Sequence, residues 1–452
     1  MEASTQPQTR PRRGDQLELV VDSLAFGGNG VARFGSYVVF VAGAMPGDRV
    51  LAVVTKRKKS YAEARTLEVL VASPDRIAPL ADHPGAPWQV LPYAQQLAVK
   101  EAQVGDALRR IGHLEGFALA PIVAAAEQWR YRNKLEFSFG TNPGGELVCG
   151  FHAPGSWEEI VGVEDCLLQS EVGNAVRRAV LQFCRAQGLT AYDRRTQLGF
   201  LRNLVIREGT RTGELQVRLV TSVGELDGHA FAEAVQADSL LWTEIETVGE
   251  TTVGGRTEIV AGADKLNEEI AGLRFAISPE AFFQTNTIMA EKLYAIAADA
   301  AGLQGWERVF DLFCGIGTVG LSLAPRAGEV WGVEIVESAV ADAIANAQAN
   351  ELRNTQFFAG DVRVVMRELV ERAGRPDVLV VDPPRAGLSQ KVVRRIIEAA
   401  PKKIVYISCN PTTLAPNAAQ LTEAGYVLRT VAPVDMFPQT PHIECVAMLE
   451  RV

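Results

Sequence analysis

Short apolar runs alternate with helical segments from residue 276 to the end of the chain, and this alternation constrains the fold more than any other feature of the sequence. The periodicity predicts helices at 285–301, 335–350 and 389–400. The runs between them are typical of buried strands: RVFDLF, VWGVE, TQFFAG, VLVVDPP and IVYISCNP. Continuous apolar strands connected through helices favour a parallel sheet covered on both faces. We therefore predict an α/β domain over 276–452, with YVLRTVAPVDMF and IECVAMLERV as an antiparallel pair at one edge.

The first part of the chain predicts a small β-barrel. Residues 15–72 contain β-branched runs separated by Gly, Pro, Asn and Asp, a spacing that fits an OB-like barrel, and FGGNGVARFG (26–35) is interpreted as a turn region. Such barrels often present one face to oligonucleotides, although the architecture alone does not establish that activity. Residues 73–92 are rich in Pro and Ala and are interpreted as a linker.

Residues 93–275 predict an α+β central domain. Helical periodicity is present at 93–112 and 171–187, and the segment 93–120 is expected to pack on the α/β domain. The remaining runs predict an antiparallel sheet: WRYRNKLEFSFG, ELVCGFHAPG, FLRNLVIREG, GELQVRLVTS and WTEIETVG.

Composition excludes several classes of protein. Hydrophobic residues make up 47% and charged residues 22% of the 452 positions, which is globular rather than disordered usage. No apolar run approaches the ~18 residues of a membrane span. Residues 1–14 are polar without an apolar core, so they predict a disordered tail rather than a secretory signal. The six cysteines show no paired spacing. We expect a reduced, cytoplasmic, monomeric protein with no membrane partner.

The charge is unevenly distributed. The formal net charge is −9, yet residues 1–60 hold nine Lys or Arg against five acidic residues, a local net of +4. A basic module on an acidic chain suggests a surface that binds polyanions.

A cofactor site is expected at the carboxyl ends of the parallel strands. DLFCGIGTVG (311–320) ends one strand and begins a helix, and its glycines permit close backbone approach to a ligand. Glu334 ends the next strand, Asp361 follows the third, and Asp382 begins DPPR after the fourth. This order is typical of a Rossmann-like S-adenosylmethionine (SAM) methyltransferase. No GxxxxGK[ST] motif is present, which excludes a P-loop nucleotidase.

A cysteine at the end of the fifth strand suggests the reaction. YISCNP places Cys409 at the same sheet edge as the cofactor turn. C5 of uracil is a poor nucleophile, but a thiolate that adds to C6 makes C5 enolate-like and able to accept a methyl group. A base must then remove the C5 proton. Glu444 in PHIEC is the better candidate, because a carboxylate in a partly dry pocket gains a useful pKa; His442 is assigned an RNA-contact or structural role.

FFQTN (282–286), DLFCGIGTVG, VVDPPR, YISCNP and DMFPQTPHIE together resemble the RNA uracil-5-methyltransferase family. The resemblance implies an N-terminal TRAM barrel, a central RNA-binding domain and SAM as the cofactor. It implies Cys409 as nucleophile and Glu444 as base. Expected cofactor contacts are Gln284, Phe313, Gly315, Thr318, Glu334, Asp361 and Asp382. Expected RNA contacts are Arg132, Lys134, Phe283 and His442.

The chain departs from many TRAM-bearing relatives in one respect. They carry three cysteines after the barrel and a fourth in the central domain, which hold a [4Fe–4S] cluster. Here the linker has no cysteine, and only Cys166 matches the fourth ligand. One thiolate cannot hold a cubane, so we expect no cluster and no other metal, with Cys166 packed in the interior.

Three alternatives remain open at this stage. Cytosine-C5 methylation also uses a cysteine adduct, but those enzymes generally lack the FFQ and HxE pair. A non-catalytic RNA-binding factor with the same fold is disfavoured by the complete set Cys409, Glu444 and Asp382. Transfer RNA is the alternative substrate to 23S ribosomal RNA, which is favoured because the TRAM barrel is characteristic of the ribosomal branch of the family.

Overall fold

Five strands near the start of the chain close into a small barrel in the order β1-β2-β3-β5-β4. They are β1 (Gln16–Leu24), β2 (Gly30–Phe34), β3 (Tyr37–Ala42), β4 (Arg49–Arg57) and β5 (Tyr61–Val71). Alternate side chains point inward and form a barrel core of valine, leucine and alanine. The computed structural model describes residues 10–452, so the tail expected over 1–14 lies outside the described residues except for 10–14.

The turn expected over 26–35 is wrong in its second half, because β2 occupies residues 30–34. Gly27 and Gly28 do form a turn, with φ of 90° and 92°. Gly30 instead lies in the barrel wall, where a Cβ would be 2.8 Å from the side chain of Val21. The glycine at this position therefore serves close strand packing rather than a turn.

Residues 73–92 contain no helix or strand, and yet their side chains are packed. Trp88 is 1% exposed and packs with Leu24, Met45 and Leu91. His83 is buried with its Nε2 3.2 Å from Sγ of Cys166. The linker is thus attached to the barrel at one point and to the central sheet at another.

A seven-stranded sheet forms the middle of the molecule, in the order β13-β12-β11-β10-β7-β8-β9. Its strands are β7 (Lys134–Thr141), β8 (Leu147–His152), β9 (Ile160–Gly162), β10 (Leu201–Glu208), β11 (Leu215–Thr221), β12 (Ser239–Glu244) and β13 (Arg256–Gly262). Helices α2 (Glu171–Ala186) and α3 (Gly228–Ala234) contribute to the apolar core on one face. The expectation of a wholly antiparallel sheet is wrong at β11 and β12, which are parallel because the segment that joins them contains α3.

The segment before this sheet belongs structurally to the α/β part of the chain. Helix α1 (Tyr93–Asp106) continues into a π-helical turn, and the short strand β6 (Ala118–Leu119) pairs in parallel with β21 (Tyr426–Val434). Val104 and Leu108 are buried in the same core as the helices and strands of the C-terminal sheet. A separate hairpin, β14 (Leu266–Ile270) and β15 (Leu273–Ile277), precedes that sheet.

The C-terminal sheet has eight strands in the order β18-β17-β16-β19-β20-β22-β21-β6. The remaining strands are β16 (Arg308–Leu312), β17 (Glu329–Glu334), β18 (Thr355–Ala359), β19 (Val378–Val381), β20 (Lys403–Ser408) and β22 (Glu444–Arg451). Its helices are α4 (Thr287–Ala301), α5 (Thr318–Leu323), α6 (Glu337–Ala349), α7 (Val362–Ala373), α8 (Gln390–Ala399) and α9 (Pro411–Glu423). The predicted fold class is confirmed. Helices α7 and α9 were not anticipated; α9 contains Pro411 at its first turn, where proline is tolerated, and Pro416 within it.

The strand order reverses between β16 and β19, which are both parallel to their neighbours. Ligands of such sheets bind beyond the carboxyl ends of the strands at the point of reversal. No helix among residues 10–452 is long and apolar enough to cross a membrane.

Candidate active site

The turn between β16 and α5 forms an open backbone cradle. Phe313, Gly315 and Gly317 have positive φ values of 65°, 54° and 85°. A Cβ built on Gly315 would meet no atom within 4 Å, so space for a ligand lies against the backbone. Gly317 begins α5 without a side-chain cap, which leaves backbone N–H groups directed at this space.

Glu334 is fixed at the edge of this cradle by backbone donors. Its carboxylate accepts hydrogen bonds from the N–H groups of Gly315 (3.2 Å), Ile335 (2.7 Å) and Val336 (3.0 Å). A carboxylate offers about four lone-pair positions, so one acceptor position is left for a ligand hydroxyl. This is the role expected for the acid that follows the second strand of a nucleoside-binding sheet.

Asp311 is a site residue that the sequence analysis missed as an individual candidate. Its Oδ2 accepts a hydrogen bond from the Gly320 N–H (2.8 Å), while its buried Oδ1 has no hydrogen-bond partner. Burial raises the pKa of Asp311 to about 7. An unpartnered buried acceptor under the glycine turn suits a cofactor that carries an amino group. Asp311 is a lone acid in an apolar strand within DLFCGIGTVG, and this feature of the sequence could have identified it as a candidate site residue.

Two other expected cofactor contacts are already engaged by the protein. Asp361 caps α7 and forms an ion pair with Arg363, whose guanidinium lowers the pKa of the Asp361 carboxyl. Thr318 accepts a hydrogen bond from the hydroxyl of the buried Tyr294 (3.2 Å). Their contacts with a cofactor remain predictions.

Strand pairing brings Cys409 and Glu444 together. Strands β20 and β22 are antiparallel, and their last aligned pair is Ser408 with Cys445. One residue further along this register, Cys409 lies opposite Glu444, and opposite residues of an antiparallel pair project to the same face. Two residues far apart in the sequence therefore share one site beside the cofactor cradle.

The site is dry enough to perturb its acids. Glu444 is 4% exposed, and its buried Oε2 has no hydrogen-bond partner. Burial and the neighbouring Asp382 raise the pKa of Glu444 well above its usual range. Burial also raises the pKa of Asp382 to about 7. For Cys409, burial together with the charges of Glu444 and Asp382 raises the thiol pKa to about 11.

Arg385 supplies a positive charge next to these acids. It lowers the pKa of both the Cys409 thiol and the Glu444 carboxyl, against the dominant effect of burial. Its backbone carbonyl accepts a hydrogen bond from Nδ2 of Asn410 (3.0 Å), which ties DPPR to the residue that follows Cys409. Arg385 belongs to the DPPR motif but was not predicted from the sequence as a functional residue.

Three side chains, Arg132, Phe437 and His442, form a group near Arg385, whose charge also acts on the Cys409 thiol. The Arg132 guanidinium lies 5.5 Å from the Phe437 ring centroid, and the His442 ring meets Phe437 edge-on at 6.1 Å. Burial, with the nearby charges of Arg385, Arg132 and Lys100, lowers the pKa of His442 to about 4. His442 is therefore uncharged near neutral pH, so it acts through hydrogen bonding or stacking rather than as a cation.

The remaining expected contacts lie in differing environments. Gln284 is buried, and its carbonyl accepts a hydrogen bond from Asn133 (2.9 Å). Phe283 packs in the core against Phe275, with ring centroids 6.3 Å apart, whereas the preceding Phe282 is 67% exposed. Lys134 lies on the polar face of the central sheet and pairs with Glu136 at 2.8 Å. Phe282 is thus the more accessible ring of the FFQ motif.

Among residues 10–452, no group of three or more His, Cys, Asp or Glu side chains is arranged to hold a metal ion. Cys166 is buried, and its partner is His83.

Comparison with known proteins places this site in a family. Residues 93–452 match the family model described as tRNA (Uracil-5-)-methyltransferase, and residues 10–67 match the TRAM domain. A protein named uncharacterized RNA methyltransferase from Bacteroides thetaiotaomicron is 39% identical over 94% of this chain and all of its own. One from Halalkalibacterium halodurans is 37% identical over 98% of each chain.

A solved structure has the same overall architecture. The Pyrococcus abyssi tRNA (uracil-54, C5)-methyltransferase, in complex with S-adenosyl-L-homocysteine, superposes with a TM-score of 0.77. It is 27% identical, and the match covers 96% of this chain and 100% of that one. The resemblance noted from the motifs is confirmed, and the chain belongs to the tRNA (uracil-5-)-methyltransferase family, with an N-terminal TRAM domain.

Proposed function

We propose that this protein methylates C5 of a uridine in RNA, with Cys409 as the nucleophile and Glu444 as the base. The observation that carries the proposal is the alignment of β20 with β22, which sets the partly exposed thiol opposite a buried carboxylate with an unpartnered oxygen. Both groups lie at the carboxyl edge of the sheet, next to the glycine cradle. A thiol and an unpaired carboxylate in one dry pocket suit a reaction that needs nucleophilic addition followed by proton removal.

The residues of the cradle fit SAM. Glu334 has a free acceptor position for ribose hydroxyls, and Oδ1 of Asp311 is an unpartnered acceptor for an amino group. The open space over Gly315 leaves room for a ligand to approach the protein backbone. When bound, SAM supplies an electrophilic methyl group on its sulfonium sulfur.

The protein side chains carry the remaining chemistry. The partly exposed Cys409 thiol gives its proton to solvent, and its sulfur bonds to C6 of uracil while the C5–C6 π electron pair moves to C5 as an enolate. After C5 has gained the methyl group, Glu444 accepts the C5 proton. The electron pair of that C–H bond re-forms the C5–C6 double bond, and the C6–S bond breaks to release the thiolate. A raised pKa suits Glu444 to this step, because the basicity of a carboxylate increases with its pKa.

The target base must leave its stack to reach Cys409. Arg132, Phe437 and His442 offer a guanidinium and two rings for contact with an extruded nucleotide. Extrusion is least costly for unstacked bases of loops and bulges, which are the usual targets of sequence-specific RNA recognition.

We favour 23S ribosomal RNA as the substrate, because the TRAM barrel is characteristic of the ribosomal branch that the motifs resemble. Transfer RNA is the second candidate, and one observation favours it. The matched Pyrococcus enzyme acts on tRNA, and the 4% of this chain outside the match is too short to be the barrel. The barrel alone therefore does not distinguish ribosomal from transfer RNA. Mapping 5-methyluridine in ribosomal and transfer RNA, in cells with and without this protein, distinguishes the two.

The mechanism is tested with Glu444→Gln. Glutamine preserves the volume of the side chain but cannot accept the C5 proton, so we expect methyl transfer to proceed and the covalent enzyme–RNA adduct to persist. A denaturing gel with RNA labelled through the transferred methyl group detects this adduct.

Cys409→Ala is the matched control. It should form no adduct, yet it should bind SAM as the parent does, because the thiol contacts the base rather than the cradle. Normal turnover by the Glu444→Gln variant, or loss of SAM affinity in Cys409→Ala, contradicts the assigned roles.

A further inference from the structure

The loop between β21 and β22 ends at Glu444, the first residue of β22. This loop, residues 435–443, carries Phe437 and His442 and leads directly into Glu444 at the start of β22. Asp435, Met436, Gln439 and Thr440 are all buried, although the segment is neither helix nor strand. Its conformation therefore depends on contacts made from other elements.

Lys100 of α1 holds the beginning of the loop. Its ammonium lies 2.6 Å from Oδ1 of Asp435, both side chains are 0% exposed, and it also donates to the carbonyl of Phe437 (3.0 Å). The Tyr93 hydroxyl donates to Oδ2 of the same aspartate (2.9 Å). The Asp435 carboxylate in turn accepts a hydrogen bond from the Phe437 N–H (3.2 Å).

Gln96 holds the middle of the loop. Its Nε2 donates to Oε1 of Gln439 (2.8 Å), and its Oε1 accepts from the Gln439 N–H (2.9 Å). The same Nε2 lies 3.0 Å from the carbonyls of Trp88 and Leu91 in the linker. Gln96 and Lys100 are four residues apart on α1 and so project from one face of the helix. One face of α1 thus contacts the loop at two points.

A buried ion pair is weak evidence for stability, because the desolvation of both charges offsets their attraction. What it supplies is one defined geometry, since each partner is costly to leave alone. We propose that Lys100 and Gln96 are positioning residues that orient Glu444 toward the C5 proton of the adduct through the 435–443 loop. This inference rests on the proposed function.

The effect should be confined to one step of the reaction. Cys409 is positioned by β20 and by Asn410 at the start of α9, and the cofactor cradle is formed by β16, α5 and β17. Phe437 and His442 lie on the same loop, so RNA is supplied at a saturating concentration to offset weaker contact with the base. Under that condition, loosening the 435–443 loop leaves adduct formation and methyl transfer close to their normal rates. Removal of the C5 proton slows, because a displacement of about 1 Å at a catalytic group costs on the order of 100-fold in rate.

The test uses the full-length protein, SAM and an RNA that carries the target uridine. Lys100→Met with Asp435→Asn removes both buried charges at nearly constant volume, and Gln96→Met is an independent second variant. Lys292→Met, at an exposed lysine of α4, is the matched control. Single-turnover experiments measure separately the appearance of methyl-labelled adduct and its decay on a denaturing gel.

The expected result is adduct formation within about twofold of the parent, with decay slowed on the order of 10- to 100-fold in both altered forms but not in the control. Parent-like decay in either folded variant overturns the inference, as does an equal loss in both steps, which would indicate a merely structural role. If the parent itself forms no adduct, the proposed function fails and the inference fails with it. If the parent forms one and the Glu444→Gln variant retains it, parent-like decay in the loop variants counts against the inference alone.

Discussion

The surroundings of Cys409 hold its thiol in the neutral form. Burial raises the thiol pKa to about 11, with further contributions from the negative charges of Glu444 and Asp382, while Arg385 acts in the opposite direction. The nucleophilic form of cysteine is the thiolate, so the neutral thiol of the resting site has low reactivity. The other five cysteines are buried, which makes Cys409 the accessible thiol of the chain.

This arrangement predicts a pH dependence for Cys409. Alkylation by iodoacetamide should accelerate as the pH rises from about 6 to 9, because the thiolate fraction increases throughout the range below the raised pKa. The increase should be less than tenfold per pH unit near pH 7, since ionisation of Asp382, with its pKa of about 7, opposes loss of the thiol proton. Mass spectrometry of the modified peptide measures the rate.

Arg385→Gln should slow this alkylation at every pH, because removing the cation raises the thiol pKa further. Arg394→Gln, at an exposed arginine of α8, is the control. A rate that is independent of pH, or equal in the two variants, would show that the thiol does not titrate in the field of Arg385.

At the scale of elements, the linker shows how a segment without regular structure is held. Trp88 fills a small core between barrel and loop, donates its backbone N–H to the carbonyl of Gln439 (3.0 Å), and lies 5.6 Å from the Lys100 ammonium. His83 meets Cys166 at the other contact point. Packing and hydrogen bonds thus connect the linker to the parts that an iron–sulfur cluster ties together in relatives.

Trp88→Ala should lower the free energy of unfolding by about 3–5 kcal/mol, the usual cost of emptying a buried tryptophan site. Denaturant unfolding of the two proteins measures the difference.

Anaerobically purified parent protein should not contain stoichiometric iron or acid-labile sulfide, and its methyl transfer should not need added iron. Either of two results would mean that packing at Trp88 does not hold the linker: stoichiometric iron in the parent protein, or a decrease of less than about 1 kcal/mol in the free energy of unfolding of Trp88→Ala.

The elements differed in how far the sequence predicted them. The helices α4, α6 and α8 have strong apolar patterns and lie within two residues of their predicted positions, and each parallel strand starts within one residue of its predicted run. Strand β2 was hidden by the glycines around it, and α9 by its two prolines. The parallel pairing of β11 with β12 depends on the chain crossing the sheet between them, which a pattern of single strands does not reveal.

The candidate site followed the same division. Cys409, Glu334 and Asp382 were found because each follows or ends a buried strand at a common edge. Glu444 was predicted as the base from its carboxylate in PHIEC and from the family resemblance, whereas the register of β22, which sets it opposite Cys409, is visible only in the folded chain. Lys100 and Gln96 carry no local signal, since polar residues on a helix are ordinarily exposed. Only the buried loop they contact distinguishes them.

At the scale of the whole molecule, the first 60 residues carry a local net charge of +4 on a chain whose net charge is −9. The end of β4 and the turn that follows it carry Arg57, Lys58 and Lys59, all exposed. The turn between β1 and β2 touches the 435–443 loop: a Cβ on Gly28 would lie 3.0 Å from Cβ of Pro441. The barrel and the 435–443 loop are therefore in direct contact, next to His442.

Replacing Arg57, Lys58 and Lys59 together by glutamine should weaken RNA binding and reduce the slope of log Kd against log salt by about 0.7–0.9 per lost phosphate contact. SAM affinity should not change, because the cradle lies in the C-terminal sheet. Fluorescence anisotropy over a range of salt concentrations provides the slope. Neutralising Lys292, Arg326 and Arg353, which are exposed on the α/β domain, removes the same charge elsewhere and should leave the slope nearly intact. Equal effects in both sets would assign the loss to overall charge.

The pairing of β20 with β22 has a consequence for how such enzymes can change length during evolution. Helix α9 and strand β21 separate the thiol from the carboxylate along the chain, but neither sets the distance between them. Insertions or deletions at the ends of α9 leave the reacting groups in place as long as β20 and β22 keep their alignment. A slip of one residue in β22 turns Glu444 to the opposite face of the sheet and removes it from the site. The position of Cys409 relative to Glu444 thus depends on a strand alignment rather than on a fixed spacing in the sequence.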